Sequence, residues 1–151
     1  MAKGIVRKGL IGGLAGTAIM TLGENIEQRF THRADSHVPG RTLAHLLHLS
    51  RPNKKSLGRN WAMHWGTGAL GGITRAALAA RGFRGPTASS VHLLLRLSFD
   101  QTLENATGVG TPPWTWPKDL LTVDVAHKAV YAYSTGAIVD ALLGRSRNSI
   151  V

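Results

Sequence analysis

The chain has 151 residues, with 18 Lys and Arg against 8 Asp and Glu, a formal net charge of +10 and no cysteine. A chain of this length forms one domain of four or five helices and is too short for two independent cores. The lack of cysteine excludes disulfides, thiolate metal sites and a cysteine nucleophile within this sequence. The excess of positive charge suits an anionic partner, either a lipid headgroup surface or a nucleic acid.

The first half of the chain contains two long predicted helices and a short one. The first follows a basic lead and covers residues 9–30, beginning with the charge-free stretch GLIGGLAGTAIMTLG, whose glycines have the spacing that lets membrane helices approach closely. A polar connection ending in Pro39 and Gly40 leads to a short amphipathic helix at residues 41–49. After the basic loop SRPNKKSLGR, the second long helix covers residues 60–80 and is rich in glycine.

The second half predicts two more long helices. One covers residues 87–105 and follows the turn RGFRGP. The stretch GVGTPPWTWP excludes helix, and its tryptophans suit a membrane interface. The last helix covers residues 118–143 and ends at Gly144, a glycine that suits a helix C-cap. The predicted fold is therefore all-α, a multi-spanning membrane bundle of four main helices and one short amphipathic helix.

Each long helix carries a thin line of polar residues on a surface that is otherwise apolar or glycine. The clearest line steps by four residues through His92, Arg96, Asp100 and Glu104 along one helix face. Such charges are costly in hydrocarbon unless they are paired, so we expect these lines to meet inside the bundle. Arg96 is expected to pair with Asp100 or His92, and Glu24 with an arginine of another helix, either Arg75 or Arg96. The candidate buried polar network consists of Glu24, His64, Arg75, His92, Arg96, Asp100, Asp124 and His127.

No motif for catalysis, cofactor binding or metal binding is assigned. The chain has no Gly-x-Ser-x-Gly nucleophile elbow, and the glycines near its start are not followed by the Lys-Ser/Thr of a phosphate-binding loop. Its spaced pairs of acids and histidines do not match the Glu-x-x-His pairs of ferritin-like metal sites. They are Asp124-x-x-His127, Glu24-x-x-Glu27 and His45-x-x-His48. We therefore predict a non-enzymatic protein, and the rival to this prediction is an enzyme or metal protein that uses Glu24, Asp124 and His127.

Two interpretations of the function remain open. The first is a small integral membrane protein whose inner network is linked to proton or ion movement or to membrane stress. Its partners are the bilayer, anionic headgroups bound by basic loops such as residues 51–59, and further copies of the chain packed through glycine faces, but not nucleic acid. The alternative is a soluble helical bundle that acts as a scaffold, a binding protein or a metal-binding protein. No apolar run reaches the 18 residues typical of an isolated spanning helix.

The last third of the chain resembles the YagU-like family of small bacterial inner-membrane proteins. The resemblance is carried by Gly110-Thr111-Pro112-Pro113, by Trp116-Pro117, and by His127 with Val130-Tyr131. Asn60-Trp61 with His64, which leads into a glycine-rich span, is similar to an earlier part of that family. The resemblance implies an all-helical, multi-spanning protein of the bacterial inner membrane, in a family with no agreed catalytic mechanism.

Overall fold

The computed structural model describes residues 2–148, with side-chain burial described for residues 2–144. Over this range the chain is all-α and has no strand. Its elements are α1 (Ala2–Thr31), α2 (Val38–Leu46), α3 (Leu57–Ala80), α4 (Gly85–Ala106), a 3-10 turn (Pro113–Thr115) and α5 (Lys118–Asn148). The predicted order of four long helices and one short helix is therefore confirmed.

The first two helices begin earlier than predicted. The basic lead belongs to α1, which is helical from Ala2. The short helix α2 begins at Val38, before the predicted start at residue 41, and Pro39 lies in its first turn. Proline suits this position because its fixed φ is helical and its missing N–H would have no partner there. The Pro39-Gly40 pair therefore starts the helix and does not end the preceding loop.

Three other boundaries also differ from the prediction. The Oγ of Ser56 accepts a hydrogen bond from the backbone N–H of Arg59 at 3.4 Å and so caps α3, whose first residue, Leu57, lies three residues before the predicted start. The segment between α4 and α5 includes a short helical turn, Pro113–Thr115. The last helix continues through Gly144 to Asn148, so that glycine is not a C-cap. A glycine inside a helix costs only about 1 kcal/mol, which neighbouring helical residues can offset.

The four long helices form an antiparallel bundle. α1 packs against α3 and α5, and α4 packs against the same two helices from the other side. The short helix α2 lies on the beginning of α3, where Asn60 fixes it. The Asn60 amide donates to the backbone carbonyl of Ser36 at 2.8 Å, and its Oδ1 accepts from the N–H of Gly40 at 2.9 Å.

The interior of the bundle contains mostly small or polar side chains, whereas its surface carries large apolar side chains. Within residues 2–144 the large buried apolar residues are Met20, Tyr131, Val139 and Leu143, and the other buried hydrophobic residues are alanines. Buried polar and charged residues are Thr17, Thr42, Thr67, Arg75, Ser89, His92, Arg96, Asp100 and Thr135. The exposed large apolar residues include Leu10, Leu14, Leu22, Ile26, Leu70, Leu94, Leu95 and Phe99. Large apolar side chains are usually the first to be buried in water, whereas many of those in this bundle are exposed.

The glycine faces of α1 and α3 are in contact with each other inside one chain. A methyl group on Gly9 would lie 2.6 Å from the Cα of Ile73, and one on Gly13 would lie 2.9 Å from the Cα of Gly72. Only glycine permits backbones to approach this closely. These faces are therefore occupied by one another, and the expected homo-oligomer, which stays a prediction, would need a different surface.

Among the described helices, α1 is the one that is both long and apolar enough to cross a membrane by length and composition. It begins near the first residue, where a signal sequence or a core helix can have the same properties. Composition therefore supports one candidate span, and the case for further spans depends on where the charged side chains lie.

Candidate functional site

A cavity of about 470 Å³, lined by both charged and apolar side chains, lies at one end of the bundle. This cavity end is formed by the end of α1, the start of α3, the end of α4 and the start of α5. The connection between α1 and α2 contributes Arg33 and Pro39, and the segment before α5 contributes Trp116. The charged and histidine residues that line the cavity are Glu24, Arg33, His64, Arg96, Asp100, Glu104, Asp124, His127 and Lys128.

The wall that contains Trp116 is shaped by its own hydrogen bonds. The indole N–H of Trp116 donates to the backbone carbonyl of Thr111 at 2.9 Å. The N–H groups of Val109 and Gly110 both donate to the carbonyl of Glu104, at 3.1 and 2.9 Å, which turns the chain back over the end of α4. An aromatic ring and a carboxyl group are thereby placed in the lining of the same cavity.

Two of the cations in the cavity are held by carboxylates of α4 and α5. The Nε of Arg96 donates to Asp100 at 2.9 Å, and its Nη2 donates to Thr67 at 2.9 Å. The Nζ of Lys128 lies 2.8 Å from Asp124 and 3.5 Å from the same Asp100 oxygen that Arg96 contacts. These four charges therefore form one continuous chain along the wall.

The third cation, Arg33, is held by α1. Its guanidinium lies 2.9 Å from Glu27 and 3.4 Å from Glu24. The hydrogen bond from Arg33 lowers the pKa of Glu27, and the same bond raises the pKa of Arg33. Both groups are therefore charged at neutral pH, and this pair ties the connection after α1 to the cavity.

Glu104 differs from the other carboxyl groups of the cavity. Its side chain forms no hydrogen bond or ion pair with any residue in the described part of the chain. Burial raises the pKa of Glu104 to about 7, and the positive charge of Lys128 opposes this shift without cancelling it. Glu104 is therefore poised to gain or lose a proton near neutral pH.

The two histidines of the cavity have different surroundings. A ring nitrogen of His64 lies 2.9 Å from the hydroxyl of Thr21, and burial lowers the pKa of His64 although the charge of Glu24 opposes this. His64 is therefore neutral at pH 7 and adds no positive charge to the cavity. His127 also lines the cavity and is half-buried.

Polar side chains continue from the cavity toward the other end of the bundle. The Arg96 guanidinium lies 5.2 Å from the ring centroid of Tyr131, whose hydroxyl donates to the carbonyl of Gly68 at 2.6 Å. The ring of His92 lies 5.5 Å from that of Tyr131. Both ring nitrogens of His92 are buried without a hydrogen-bond partner among the described residues.

A buried ion pair follows near the opposite end. Arg75 is fully buried, and its Nη2 donates to Asp140 at 2.7 Å. The same Asp140 oxygen accepts a hydrogen bond from the N–H of Gly85 at 2.9 Å, which joins α3, α4 and α5 at one point. The Nε and Nη1 of Arg75 have no partner among the described residues.

The structure divides the predicted network into two levels. Six of its members line the cavity, namely Glu24, His64, Arg96, Asp100, Asp124 and His127. The other two, Arg75 and His92, lie deeper in the bundle. The expected pairing of Arg96 with Asp100 is confirmed. The expected pairing of Glu24 with Arg75 or Arg96 is wrong, because Arg33 is the partner of Glu24 and Asp140 is the partner of Arg75.

Several residues of the site were missed in the prediction although the sequence contained a signal for most of them. Lys128 follows Asp124 by four residues, which is the spacing of a helical ion pair. Glu104 was placed on the same helix line as Asp100 but was left out of the predicted network. Asp140 is the sole acidic residue between residues 129 and 143, in an otherwise apolar stretch. Arg33 carried no such signal, because it lies in a connection outside the helices.

Within the described residues, no three His, Asp or Glu side chains are grouped so that they could hold a metal ion. Comparison of the chain with models of protein families, with curated proteins and with solved structures finds no match. The resemblance to the YagU-like family therefore stays a prediction, and the function has to be argued from the geometry.

Proposed function

We propose that the chain is an integral membrane protein of non-enzymatic type, in which α1, α3, α4 and α5 cross the bilayer around a polar interior that carries protons or small ions. The proposed spans are residues 9–23, 65–80, 86–99 and 129–143. The observation that carries the proposal is the position of the charged and histidine side chains within these segments.

The four segments contain four such residues, and all of them face inward. Arg75, His92 and Arg96 are buried, and Asp140, which is 22% exposed, is paired with Arg75. A charge that faces hydrocarbon costs at least about 2.5–3.5 kcal/mol, whereas a charge that faces water costs nothing. A bundle in water has no reason to hide its charges and expose its leucines, but a bundle in lipid does.

Hydroxyl groups on the outer surface are compatible with the same conclusion, although the exposed Thr102 and Thr122 outside the proposed spans form the same kind of bond. Ser134 donates to the carbonyl of Val130 at 2.6 Å, and Thr74 donates to the carbonyl of Leu70 at 3.3 Å, each one turn back in its own helix. This bond satisfies a hydroxyl without a partner from the solvent. Such internal satisfaction is what a hydrocarbon environment demands.

The dimensions of the segments also suit a bilayer, although a thin one. At about 1.5 Å per residue the segments are roughly 21–24 Å long, somewhat shorter than a hydrocarbon core of about 30 Å. Local thinning of the bilayer and long basic side chains at the ends accommodate such a difference. Trp61, which is 51% exposed, and Trp114, which is 83% exposed, lie at the cavity end, where the interface would be.

The buried polar atoms favour a path for protons or ions over a purely structural network. The unpaired nitrogens of His92 and Arg75 lie between the cavity and Asp140. Buried polar groups that lack a protein partner are generally satisfied by water or by an ion. A hydrated line from the cavity to Asp140 would cross most of the proposed membrane thickness. On the family resemblance we assign this membrane to the bacterial inner membrane.

Membrane insertion is tested by fractionation of cells that express the chain. The protein should stay in the membrane pellet after washes with alkaline carbonate and with high salt, and detergent should release it. Release by carbonate or salt alone would overturn the proposal and favour the soluble bundle.

Proton movement is tested in liposomes with a pH-sensitive dye in the lumen and an imposed pH gradient. We expect Glu24→Gln and His127→Ala to lower the proton flux at least tenfold, equivalent to about 1.4 kcal/mol on the barrier. The control is Asp119→Asn, which removes an exposed carboxylate at the start of α5 outside the cavity lining. Flux at the wild-type rate in both cavity variants would show that the network is structural.

A further inference from the structure

The lysine and arginine side chains of the cavity have ion-pair partners, but one of its carboxyl groups does not. Arg33, Arg96 and Lys128 are each within 3.5 Å of a carboxylate. Every lysine and arginine among the described lining residues therefore already has a carboxylate partner, and the Nη1 of Arg96 is the guanidinium nitrogen of that residue that has no hydrogen bond. Glu104 is left over on the acidic side, since its carboxyl group has no partner among those residues.

Most of the remaining lining residues are apolar or aromatic, and the others include the hydroxyl residues Ser36, Thr111 and Thr115. Trp116 lines the cavity together with Met20, Leu120 and Val123. The indole N–H of Trp116 is already bonded to Thr111, so this side chain offers its ring and not a donor. A carboxyl group without a partner, an aromatic ring and apolar walls together suit a ligand with one positive charge and an apolar body.

We propose that this cavity binds a small organic cation, an amphipathic amine or onium ion, whose positive charge is neutralised by Glu104. The proposal rests on the proposed function and deepens it, because it names the class of substrate for the same cavity. A cavity of about 470 Å³ is within the size range of small-molecule sites.

The proton and the organic cation compete for one carboxylate. When the cation binds to the protonated site, the Glu104 proton leaves to solvent, so one proton is released for each cation bound. The pKa of about 7 places this exchange near neutral pH. The charged and titratable groups that surround Glu104 are Arg96 and Asp100 on α4, Asp124, His127 and Lys128 on α5, Glu24 on α1, His64 on α3, and Arg33 in the following connection.

The experiment measures binding of tetraphenylphosphonium, an apolar cation without an exchangeable proton, to the purified full chain in detergent. Calorimetry at pH 5.5 and pH 8.5 should show roughly thirtyfold tighter binding at pH 8.5, which is the ratio of ionised Glu104 at the two values for a pKa of about 7. Titrations near pH 7 in buffers of different ionisation enthalpy should show proton release.

Two variants and a second readout complete the test. Glu104→Gln should bind at least tenfold more weakly at pH 8.5 and lose the pH dependence, whereas the exposed variant Asp119→Asn should behave as wild type. If Glu104→Gln does not fold, the wild-type pH dependence decides alone. Equal wild-type affinity at both pH values, or wild-type binding by a folded Glu104→Gln, would overturn the inference.

The liposome flux assay separates this inference from the proposed function. Wild-type proton flux without tetraphenylphosphonium binding would remove the organic cation and leave proton movement standing. Binding without flux would leave the cation site standing and remove proton movement. Loss of both would remove both proposals.

Discussion

At the scale of single residues, the carboxyl groups of the cavity differ in whether a cation accompanies them. Asp124 contacts Lys128, and Asp100 contacts both Lys128 and Arg96, so each of these carboxylates has a cation beside it. Glu104 is half-buried without such a partner, and burial raises its pKa to about 7 from a usual 4.5. A carboxyl group with a raised folded-state pKa favours the folded state below pH 4.5, and this contribution is lost as the pH rises toward 7.

Glu104→Gln should therefore stabilise the protein at high pH and hardly at low pH. Glutamine keeps the shape of the protonated acid but cannot ionise, so the destabilisation above pH 7 disappears. We expect a gain of roughly 2 kcal/mol at pH 8.5 and less than about 0.5 kcal/mol at pH 4.5. Thermal unfolding in mild detergent, followed by circular dichroism, measures the difference, with Asp119→Asn as the control. A difference that is independent of pH would contradict the assigned environment of Glu104.

The sequence predicted which polar residues face the interior of the bundle more accurately than it predicted which of them form ion pairs. Arg96 and Asp100 are one turn apart on the same helix, so local spacing was sufficient to pair them. Arg75 and Asp140 are separated by 65 positions, and their contact depends on how α3 and α5 are aligned. Helical periodicity shows which face of a helix a side chain occupies, but it does not show which residue of another helix lies opposite.

At the scale of helices, glycine determines how closely α1 and α3 pack. Gly13 lies against the backbone of α3 at Gly68 and Gly72. The glycine spacing predicted close helix packing, but we expected the partner helix to belong to a second copy of the chain. Small-residue spacing indicates that a helix can approach another closely, and it carries no information about whether that helix belongs to the same molecule.

Alanine substitution at two helical glycines should have opposite effects. A methyl group on Gly13 would collide with backbone atoms of α3, whereas one on Gly66 has nothing within 4 Å. We expect Gly13→Ala to destabilise the bundle by about 1–3 kcal/mol, and Gly66→Ala to be neutral or to stabilise it by up to about 1 kcal/mol. Thermal unfolding of the two variants compares them directly. Equal effects would show that α1 and α3 are not packed through their glycines.

At the scale of the whole molecule, the middle of the bundle encloses its few charged residues, Arg75, Arg96 and Asp140, and exposes many of its leucines. Leu70 is 60% exposed and Leu94 is 63% exposed, and both belong to proposed spans. The overall composition did not predict this arrangement, because basic loops mask the apolar character of the helices. The low fraction of charged residues, 17%, suits a membrane protein, whereas the mean hydropathy of −0.02 is low for a multi-spanning one. Only the distribution of charge along and around each helix distinguishes a bundle in lipid from a bundle in water.

Single cysteines introduced into this cysteine-free chain report which environment surrounds the bundle. In open membrane fragments, a charged maleimide should label Lys54→Cys, in an exposed basic loop, at least tenfold faster than Leu70→Cys or Leu94→Cys. Both leucine positions are exposed on the bundle surface, so their labelling rates report the surrounding medium. In hydrocarbon the thiolate, which is the reactive form of cysteine, is strongly disfavoured, and labelling is therefore slow. All three positions should label equally after denaturation. Equal labelling before denaturation would place the apolar surface in water, and the soluble bundle would then be the correct interpretation.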